Sequence, residues 1–450
     1  MELLMLKSDL IKGTIILTIS GIFIRCLGLL SRMIFSRLIG AEGLGLFQAI
    51  IPVYTMLIVL MGLGLPGAVA KMVAEKHARG NISDREFLKN SALKFVFFAA
   101  VIGTTIYYFI IIQFGENIFP DHRILTALKI IPFGVYFATL SIILRSYFQG
   151  KKNLLPIAIS QSGEQTLRII LGLLAAYILI PYGLQYTLAG IAFGVVGGEI
   201  FGFCLLVIFN RKDGKKYIKN KFSYPKLSSL FKNQMVKEMF ALALPLVFIR
   251  MSGSITHVLE SLLIPLRLQE AGFNAAQSMA LFGELSGMAL PLLYLPTVLI
   301  IPLNTALVPY VAQTSVLNQK EKLSQVAKMA LWGTLLLGIL VSLLFRYFST
   351  FFVSVLYGNP SAAPLVSMLA CSAPMAYLQF TTASILHGLG KPGIAVLHDL
   401  IGTIIALILI YYLTALPWIG INGAIWAYSV SFSITSLLGC LHIHSTIKRY

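Results

Sequence analysis

Long runs of apolar residues fill most of the chain, and short polar segments separate them. A helix needs about 20 apolar residues to cross a bilayer, and each run reaches or exceeds that length. The runs cover roughly residues 13–38, 44–70, 91–114, 124–148, 154–180, 184–209, 239–266, 281–312, 326–352, 362–386, 393–416 and 419–442. The pattern therefore predicts an all-α polytopic membrane protein with about twelve transmembrane helices.

The composition predicts the same class. Hydrophobic residues make up 57% of the 450 residues, charged residues make up 12%, and the mean hydropathy is +0.85. A soluble chain carries about 25% charged residues. The four cysteines (Cys26, Cys204, Cys371 and Cys440) lie within apolar runs at spacings that match neither a metal site nor a disulfide framework. We expect no metal and no cofactor.

The net charge of +18 is concentrated in particular segments between the apolar runs. Residues 71–94 and 211–237 are rich in Lys and Arg, whereas residues 181–185 and 417–420 carry no charge. Basic segments of this kind lie on the cytoplasmic side of a membrane protein. The distribution predicts cytoplasmic termini, an even number of spans and no nucleic-acid partner.

Short motifs recur in the second half of the chain in the same order as in the first. Ser146-Tyr-Phe-Gln-Gly150 returns as Ser384-Ile-Leu-His-Gly388, and Pro181-Tyr182 returns as Pro417-Trp418. The offsets are 238 and 236 residues, which indicates an internal duplication. We predict two pseudo-symmetric six-helix lobes, residues 1–210 and 238–450, joined by a basic cytoplasmic linker at 211–237. Such repeats are found in transporters.

Three arginines interrupt apolar runs. Arg25 and Arg32 lie two helical turns apart on one face of the first run, and Arg250 lies in the seventh run, which the repeat pairs with the first. An arginine at mid-bilayer costs roughly 2.5–3.5 kcal/mol on insertion scales. The planar guanidinium suits phosphate oxygens. We therefore predict that Arg25, Arg32 and Arg250 bind an anionic substrate.

The fifth run carries a polar stripe. Gln161, Glu164, Gln165 and Arg168 are spaced i, i+3, i+4 and i+7, which places them on one helical face, and Glu164 can pair with Arg168. The pair is either a structural link between helices or part of a cavity wall. In the second case Gln161 and Arg168 bind substrate and Glu164 binds a coupling ion. Arg145 lies near the end of its run, and we expect it to reach the interface.

Further carboxylates within the runs are candidates for ion coupling. Glu260 accompanies a second polar stripe formed by Arg250, Ser254, His257 and Ser261, whereas Glu199 and Asp399 are isolated in sequence. Each of these carboxylates either binds a proton or cation or is hydrogen-bonded to a neighbouring helix.

The chain lacks the sequence signatures of common enzymes. It has no HExxH pair, no P-loop and no glycine-flanked serine nucleophile. We therefore expect a protein that is not an enzyme and that draws energy from an ion gradient or the membrane potential. Three classes remain open: an exporter of an anionic lipid-linked precursor, a cation-coupled multidrug antiporter, and a non-transporting scaffold for cell-wall synthesis. The arginines favour the first.

The run from Leu144 to Pro156 (LRSYFQGKKNLLP), followed by Glu164 and Arg168, resembles the stage V sporulation B family of endospore-forming bacteria. That family is grouped with polysaccharide transporters and lipid II flippases, in the superfamily that includes the multidrug and toxin extruders (MATE). The resemblance extends over nearly the whole chain.

The resemblance implies a V-shaped, MATE-like flippase in the cell membrane. Its substrate would be a lipid-linked oligosaccharide of the undecaprenyl-pyrophosphate type, moved outward for spore cortex peptidoglycan. We expect further contacts with membrane lipid and with the cell-wall synthesis machinery, and we expect a monomer.

Overall fold

The computed structural model describes residues 2–215 and 233–449. The described residues fold into α-helices joined by short turns, with three 3-10 turns and one π-helical segment and without a strand. The predicted all-α class is therefore confirmed. Most of the predicted linker, residues 216–232, lies outside the described residues.

Fifteen α-helices are found in the described part of the chain, and their lengths follow the apolar runs. They are α1 Glu2–Met61, α2 Leu65–Ala78, α3 Ile82–Ile118, α4 Leu125–Gly150, α5 Leu155–Leu179, α6 Leu184–Lys215, α7 Gln234–Glu270, α8 Ala275–Phe282, α9 Leu290–Tyr294, α10 Thr297–Val316, α11 Lys320–Tyr357, α12 Ala363–Ala370, α13 Ala373–Gly388, α14 Pro392–Leu413 and α15 Ile421–Arg449.

Ten of the described helices are long and apolar enough to span a membrane. There are eleven if Pro360–Ala370 and Ala373–Gly388, bent by 58°, form one broken span. The first candidate, Thr18–Met61, has 44 residues, about twice the length that a span needs. Gly40 divides it, because its φ of 70° and ψ of −175° are not helical. With its two segments counted separately, the total reaches the predicted twelve.

The helices group into two compact units. The first comprises Met1–Leu38 and Ala49–Val258, and the second comprises Ile39–Gln48 and Leu259–Tyr450. Tyr147 and Phe148 on α4 lie in the core of the first unit, together with apolar side chains of α2, α3 and α6. A core cluster of the second unit includes Val311 on α10 and Ile385 on α13. The lobe boundaries drawn from the repeat remain a prediction.

A glycine ridge brings α6 close to α5 in the first unit. Glycines recur every four residues along one face of α6, at Gly190, Gly194, Gly198 and Gly202. A Cβ atom at Gly194 would lie 2.3 Å from the backbone nitrogen of Gly172 on α5. Small residues at this spacing allow membrane helices to approach backbone to backbone. The ridge holds Glu199 of α6 against the polar stripe of α5.

A network of charged side chains connects the ends of α3, α4 and α6. The Tyr147 hydroxyl donates to Glu86, Lys151 pairs with Asp213, and the Lys89 ammonium lies 2.5 Å from a Glu86 oxygen. The same ammonium lies 4.7 Å from the centre of the Tyr147 ring. Glu86 and Asp213 therefore neutralise part of the basic charge at the ends of these helices.

Replacing Gly194 with alanine tests the glycine ridge. The added methyl group would collide with backbone atoms of α5, which cannot move as a flexible side chain can, so we expect a loss of about 1–3 kcal/mol in the free energy of unfolding. Thermal unfolding of the purified protein in detergent measures the change. Gly333→Ala is the matched control, because nothing lies within 4 Å of its added methyl group. Equal stability of the two variants would contradict a tight α5–α6 contact.

Candidate functional site

Four charged side chains from three helices form a cluster in the first unit, here called the ionic quartet: Arg145, Glu164, Arg168 and Glu199. Nη2 of Arg168 donates to Oε1 of Glu164 and to Oε1 of Glu199, at 2.5 Å each. Nη2 of Arg145 donates to the other oxygen of Glu164. The quartet therefore joins α4, α5 and α6 through charge-assisted hydrogen bonds, which are stronger than neutral ones.

The two carboxylates of the quartet are buried, its two guanidinium groups are half-buried, and its formal charges sum to zero. Glu199 is 3% exposed and Glu164 is 8% exposed. Tyr54 on α1 donates its hydroxyl to Glu199, so a fourth helix contacts the cluster. A buried charge without a partner is strongly destabilising. Two arginines therefore match two glutamates in the same small volume.

The structure tests the pairing expected within the stripe, whereas the choice between a structural link and a cavity wall stays a prediction. The predicted Glu164–Arg168 pair is confirmed at i, i+4. Glu199, isolated in sequence, joins the pair through Arg168. The expectation that Arg145 reaches the interface is wrong. Its side chain is only 16% exposed and turns towards Glu164, because a buried carboxylate within reach is a better partner than a distant interface.

Sequence reasoning missed two features of the site. It did not identify Tyr54 as a member, and it did not predict that the side chain of Arg145 turns inward. Neither residue has a helical spacing to Glu164 or Glu199, so no pattern within one helix points to them. The position of Glu199 did have a signal. Gly198 of the glycine ridge precedes it directly, and helices with such ridges pack closely.

The predicted substrate arginines lie in the first unit. Arg25 on α1 and Arg250 on α7 are exposed. Within the described chain, neither side chain forms a hydrogen bond or ion pair. Arg32 is half-buried and has an interaction partner in the protein. The grouping of the three arginines around one substrate remains a prediction.

Helix α1 contacts the polar stripe of α5. The Ser20 hydroxyl donates to the carbonyl of Ala158 at 3.2 Å and lies 3.0 Å from the Ser162 hydroxyl. Gln161 is half-buried beside Ser162. Arg25 follows Ser20 by five residues, about 7.5 Å along the helix axis at 1.5 Å per residue. The structure thus brings the helix that carries Arg25 to the helix that carries Gln161.

Two carboxylates of the second unit form hydrogen bonds with neutral side chains. Glu260 on α7 is hydrogen-bonded to the hydroxyl of Tyr428 on α15. Asp399 on α14 is exposed, and its Oδ1 accepts a hydrogen bond from the Gln379 amide at 2.8 Å. Tyr294 lies within electrostatic range of both carboxylates. No group of three His, Cys, Asp or Glu side chains among the described residues is arranged to hold a metal ion.

Solved structures with a similar arrangement of helices include transporters of the MATE family. An inward-facing MATE transporter of the MOP superfamily superposes with a TM-score of 0.76 and 14% identity, over 94% of this chain and 95% of the other. A MOP transporter from Pyrococcus furiosus, described as having a binding pocket of reversed polarity, superposes with a TM-score of 0.63 and 15% identity, over 98% of this chain and 96% of the other. The fold is therefore that of the MATE transporters, as predicted.

Sequence comparisons identify the family. The model of the polysaccharide biosynthesis protein family matches residues 10–315, and the MatE model matches residues 285–412. Stage V sporulation protein B of Bacillus subtilis is 32% identical over 96% of this chain and 83% of the relative. Lipid II flippase MurJ of the same organism is 26% identical over 97% of this chain and 83% of the relative.

The fold and the apolar helices define a multi-span helical membrane protein with the fold of the MATE transporters. The chain belongs to the polysaccharide biosynthesis protein family, and the resemblance seen in its motifs is confirmed.

Removing one charge of the quartet tests its balance. Arg168→Met leaves two buried carboxylates with only Arg145 to balance them, and we expect a loss of about 3–5 kcal/mol in the free energy of unfolding. Adding Glu199→Gln restores neutrality and keeps a group that can hydrogen-bond to Tyr54. Most of the stability should return in the double variant. Unfolding of the single and double variants in detergent measures this, and additive losses would contradict charge balance.

Exchanging Glu164 and Arg168, in contrast, should not restore stability. Glu164→Arg with Arg168→Glu keeps the i, i+4 pair but places an arginine beside Arg145. The exchanged variant should therefore remain destabilised whether or not the pair takes part in transport.

Proposed function

We propose that the protein is a flippase that moves an anionic, lipid-linked cell-wall precursor outward across the cell membrane. The relatives named as a stage V sporulation protein and a lipid II flippase support this substrate class and a role in spore cortex peptidoglycan synthesis. The observation that carries the proposal is the unequal state of the arginines within the spans. Arg145 and Arg168 are neutralised, whereas Arg25 and Arg250 are exposed and unpaired among the described residues.

An unpaired arginine in an apolar segment is costly unless something anionic meets it. A pyrophosphate group loses its hydration on leaving water, and guanidinium groups replace it with charge-assisted hydrogen bonds in a bidentate geometry. Arg25 and Arg250 supply such groups, and Arg32 lies two turns from Arg25 on the same helical face. Gln161 offers an amide for the polar part of the substrate. Arg168 joins them only if the substrate displaces one of its carboxylate partners.

Export against a gradient needs energy, which we assign to a coupling ion. Glu164 and Glu199 already share two arginines, so a further cation at these residues would have to compete with them. Glu260 accepts a hydrogen bond from the Tyr428 hydroxyl, and Asp399 accepts one from the Gln379 amide. We therefore favour the second unit as the place where the coupling ion binds during alternating access. The protein is proposed to act as a monomer and without catalysis.

A cation-coupled multidrug antiporter is the second candidate. The aromatic cluster of the second unit favours it, because the rings of Tyr294, Phe380, Tyr428 and Phe432 lie beside Glu260 and Asp399. Carboxylates and aromatic faces together bind organic cations. Export of an organic cation such as ethidium from loaded proteoliposomes would support this function over the flippase.

Substituting the unpaired arginines tests the flippase. In proteoliposomes that carry a fluorescent lipid II, Arg25→Ala and Arg250→Ala should each lower the flipping rate at least about tenfold, because a hydrogen bond to a charged group contributes about 1.5–3 kcal/mol. Lysine at either position should restore the rate only in part, since an ammonium cannot form the bidentate contact.

Arg37→Ala is the matched control, because Arg37 lies on the same helix as Arg25 but near the end of its span. Full activity of both alanine variants, at unchanged protein levels, would contradict the role of these arginines.

Labelling of single cysteines tests the proposed orientation, with both termini and the basic segments in the cytoplasm. In a parent that lacks the four native cysteines, cysteine at Arg79 or Gly214 should resist a membrane-impermeant thiol reagent in intact cells, and cysteine at Asn117 should react. Permeabilised cells provide the control, in which all three positions should be labelled. Labelling at Gly214 in intact cells would overturn the orientation.

A further inference from the structure

Histidines gather around one cavity of the second unit. The chain has seven histidines. Two of them, His387 on α13 and His398 on α14, line a cavity of about 230 Å³ together with Asp399. A third, His442 on α15, contacts His398, with the ring centres 5.8 Å apart. Three helices thus bring three imidazoles and a carboxylate to one place.

His398 is the central residue of this group. It is 8% exposed, and its Nδ1 is buried with no hydrogen-bond partner among the described residues. A buried polar nitrogen without a partner is uncommon in native proteins and marks a place where water or another small ligand binds. The cavity has room for several water molecules, since each occupies about 30 Å³ in the liquid.

The surroundings of the His398–His442 pair limit its charge. Two imidazolium ions at this separation repel each other, so the pair accepts one proton more readily than two. Asp399 supplies a nearby negative charge. On α15, Cys440 and His444 each lie two residues from His442, and Tyr428 lies further along the same helix; Tyr377 lies on α13. At the helix ends, Lys391 donates to the Thr446 hydroxyl at 2.9 Å and Lys320 donates to the Lys448 carbonyl at 3.1 Å. Helix α12 contributes no titratable side chain.

The internal repeat gives a comparison within the same chain. Gln149 of the first half corresponds to His387 of the second, and Arg145 corresponds to Ala383 at the same offset of 238 residues. In the first unit Arg145 neutralises Glu164 on the next helix. In the second unit the corresponding next helix carries Asp399, and the residue in place of the arginine is neutral. Histidines, rather than a permanent cation from this position, therefore lie on the helices around Asp399.

We propose that the cavity between α13, α14 and α15 binds one proton, held by the His398–His442 pair and reached along His387 and Asp399. The proton arrives through cavity water, forms a bond with an imidazole nitrogen and leaves by the same path, so no other reactant is needed. Its use as the coupling ion rests on the proposed transport function, whereas the binding of the proton does not.

Histidine ring signals test proton binding directly. In the full-length protein in detergent, with ¹³C in the imidazole rings, the signals of His398 and His442 should titrate between about pH 5 and 8. Because the two sites are coupled, His398→Asn should change the titration midpoint of His442 by about one pH unit. His444→Asn is the matched control. It lies two residues further along α15, is exposed, and should leave the His442 midpoint unchanged.

A transport measurement then tests the use of the proton. In proteoliposomes, His398→Asn should abolish the dependence of the flipping rate on internal pH, and His444→Asn should preserve it. Independent titration of His398 and His442, or the absence of any titration in this range, would overturn the proton site whatever the substrate. Coupled titration without flipping of lipid II would retain the proton site and count against the proposed substrate alone.

Discussion

The cost of placing a charge in an apolar medium governs this protein. A bilayer offers no water to solvate a carboxylate or a guanidinium, so each charge within a span needs an opposite charge, a hydrogen-bonding ligand or a polar cavity. The ionic quartet satisfies this need for Arg145, Glu164, Arg168 and Glu199 at once. It also has a structural consequence, because its members come from α4, α5 and α6, and Tyr54 adds α1. Local neutrality therefore fixes the positions of four helices relative to one another.

The same requirement makes the packing of α6 necessary. A charge pair gains enough energy to offset desolvation only if its atoms are in direct contact, and Glu199 reaches Arg168 because α5 and α6 touch along their backbones. The glycine ridge permits that approach, since the Cβ of any other residue at Gly194 would overlap α5. Helix packing and charge neutralisation thus depend on each other in the first unit. In the second unit, Oδ1 of Asp399 accepts a hydrogen bond from the amide of Gln379.

The sequence predicted the elements better than the site. Apolar runs mark membrane helices because backbone groups in lipid must bond within their own helix, and the all-α class, the approximate number of spans and the Glu164–Arg168 pair followed from spacing alone. Gly40 and Glu199 were harder, because a break within a long apolar run and a contact between two helices depend on tertiary packing. Arg145 was placed wrongly, since its position near the end of a run carries no information about a carboxylate on the next helix. No sequence pattern pointed to Tyr54.

The contrast between the two units bears on how such a transporter could separate substrate from driving ion. An anionic substrate and a coupling cation compete if they share one set of charges, because each stabilises the site that the other must leave. Here the exposed arginines Arg25 and Arg250 lie in the first unit, while Glu260 and Asp399 lie in the second and accept hydrogen bonds from Tyr428 and Gln379. Arg250 and Glu260 nevertheless lie on one helix, α7, about 15 Å apart along its axis. A cation at Glu260 can therefore influence an anion at Arg250 through this helix as well as through a change in the relative stability of two conformations.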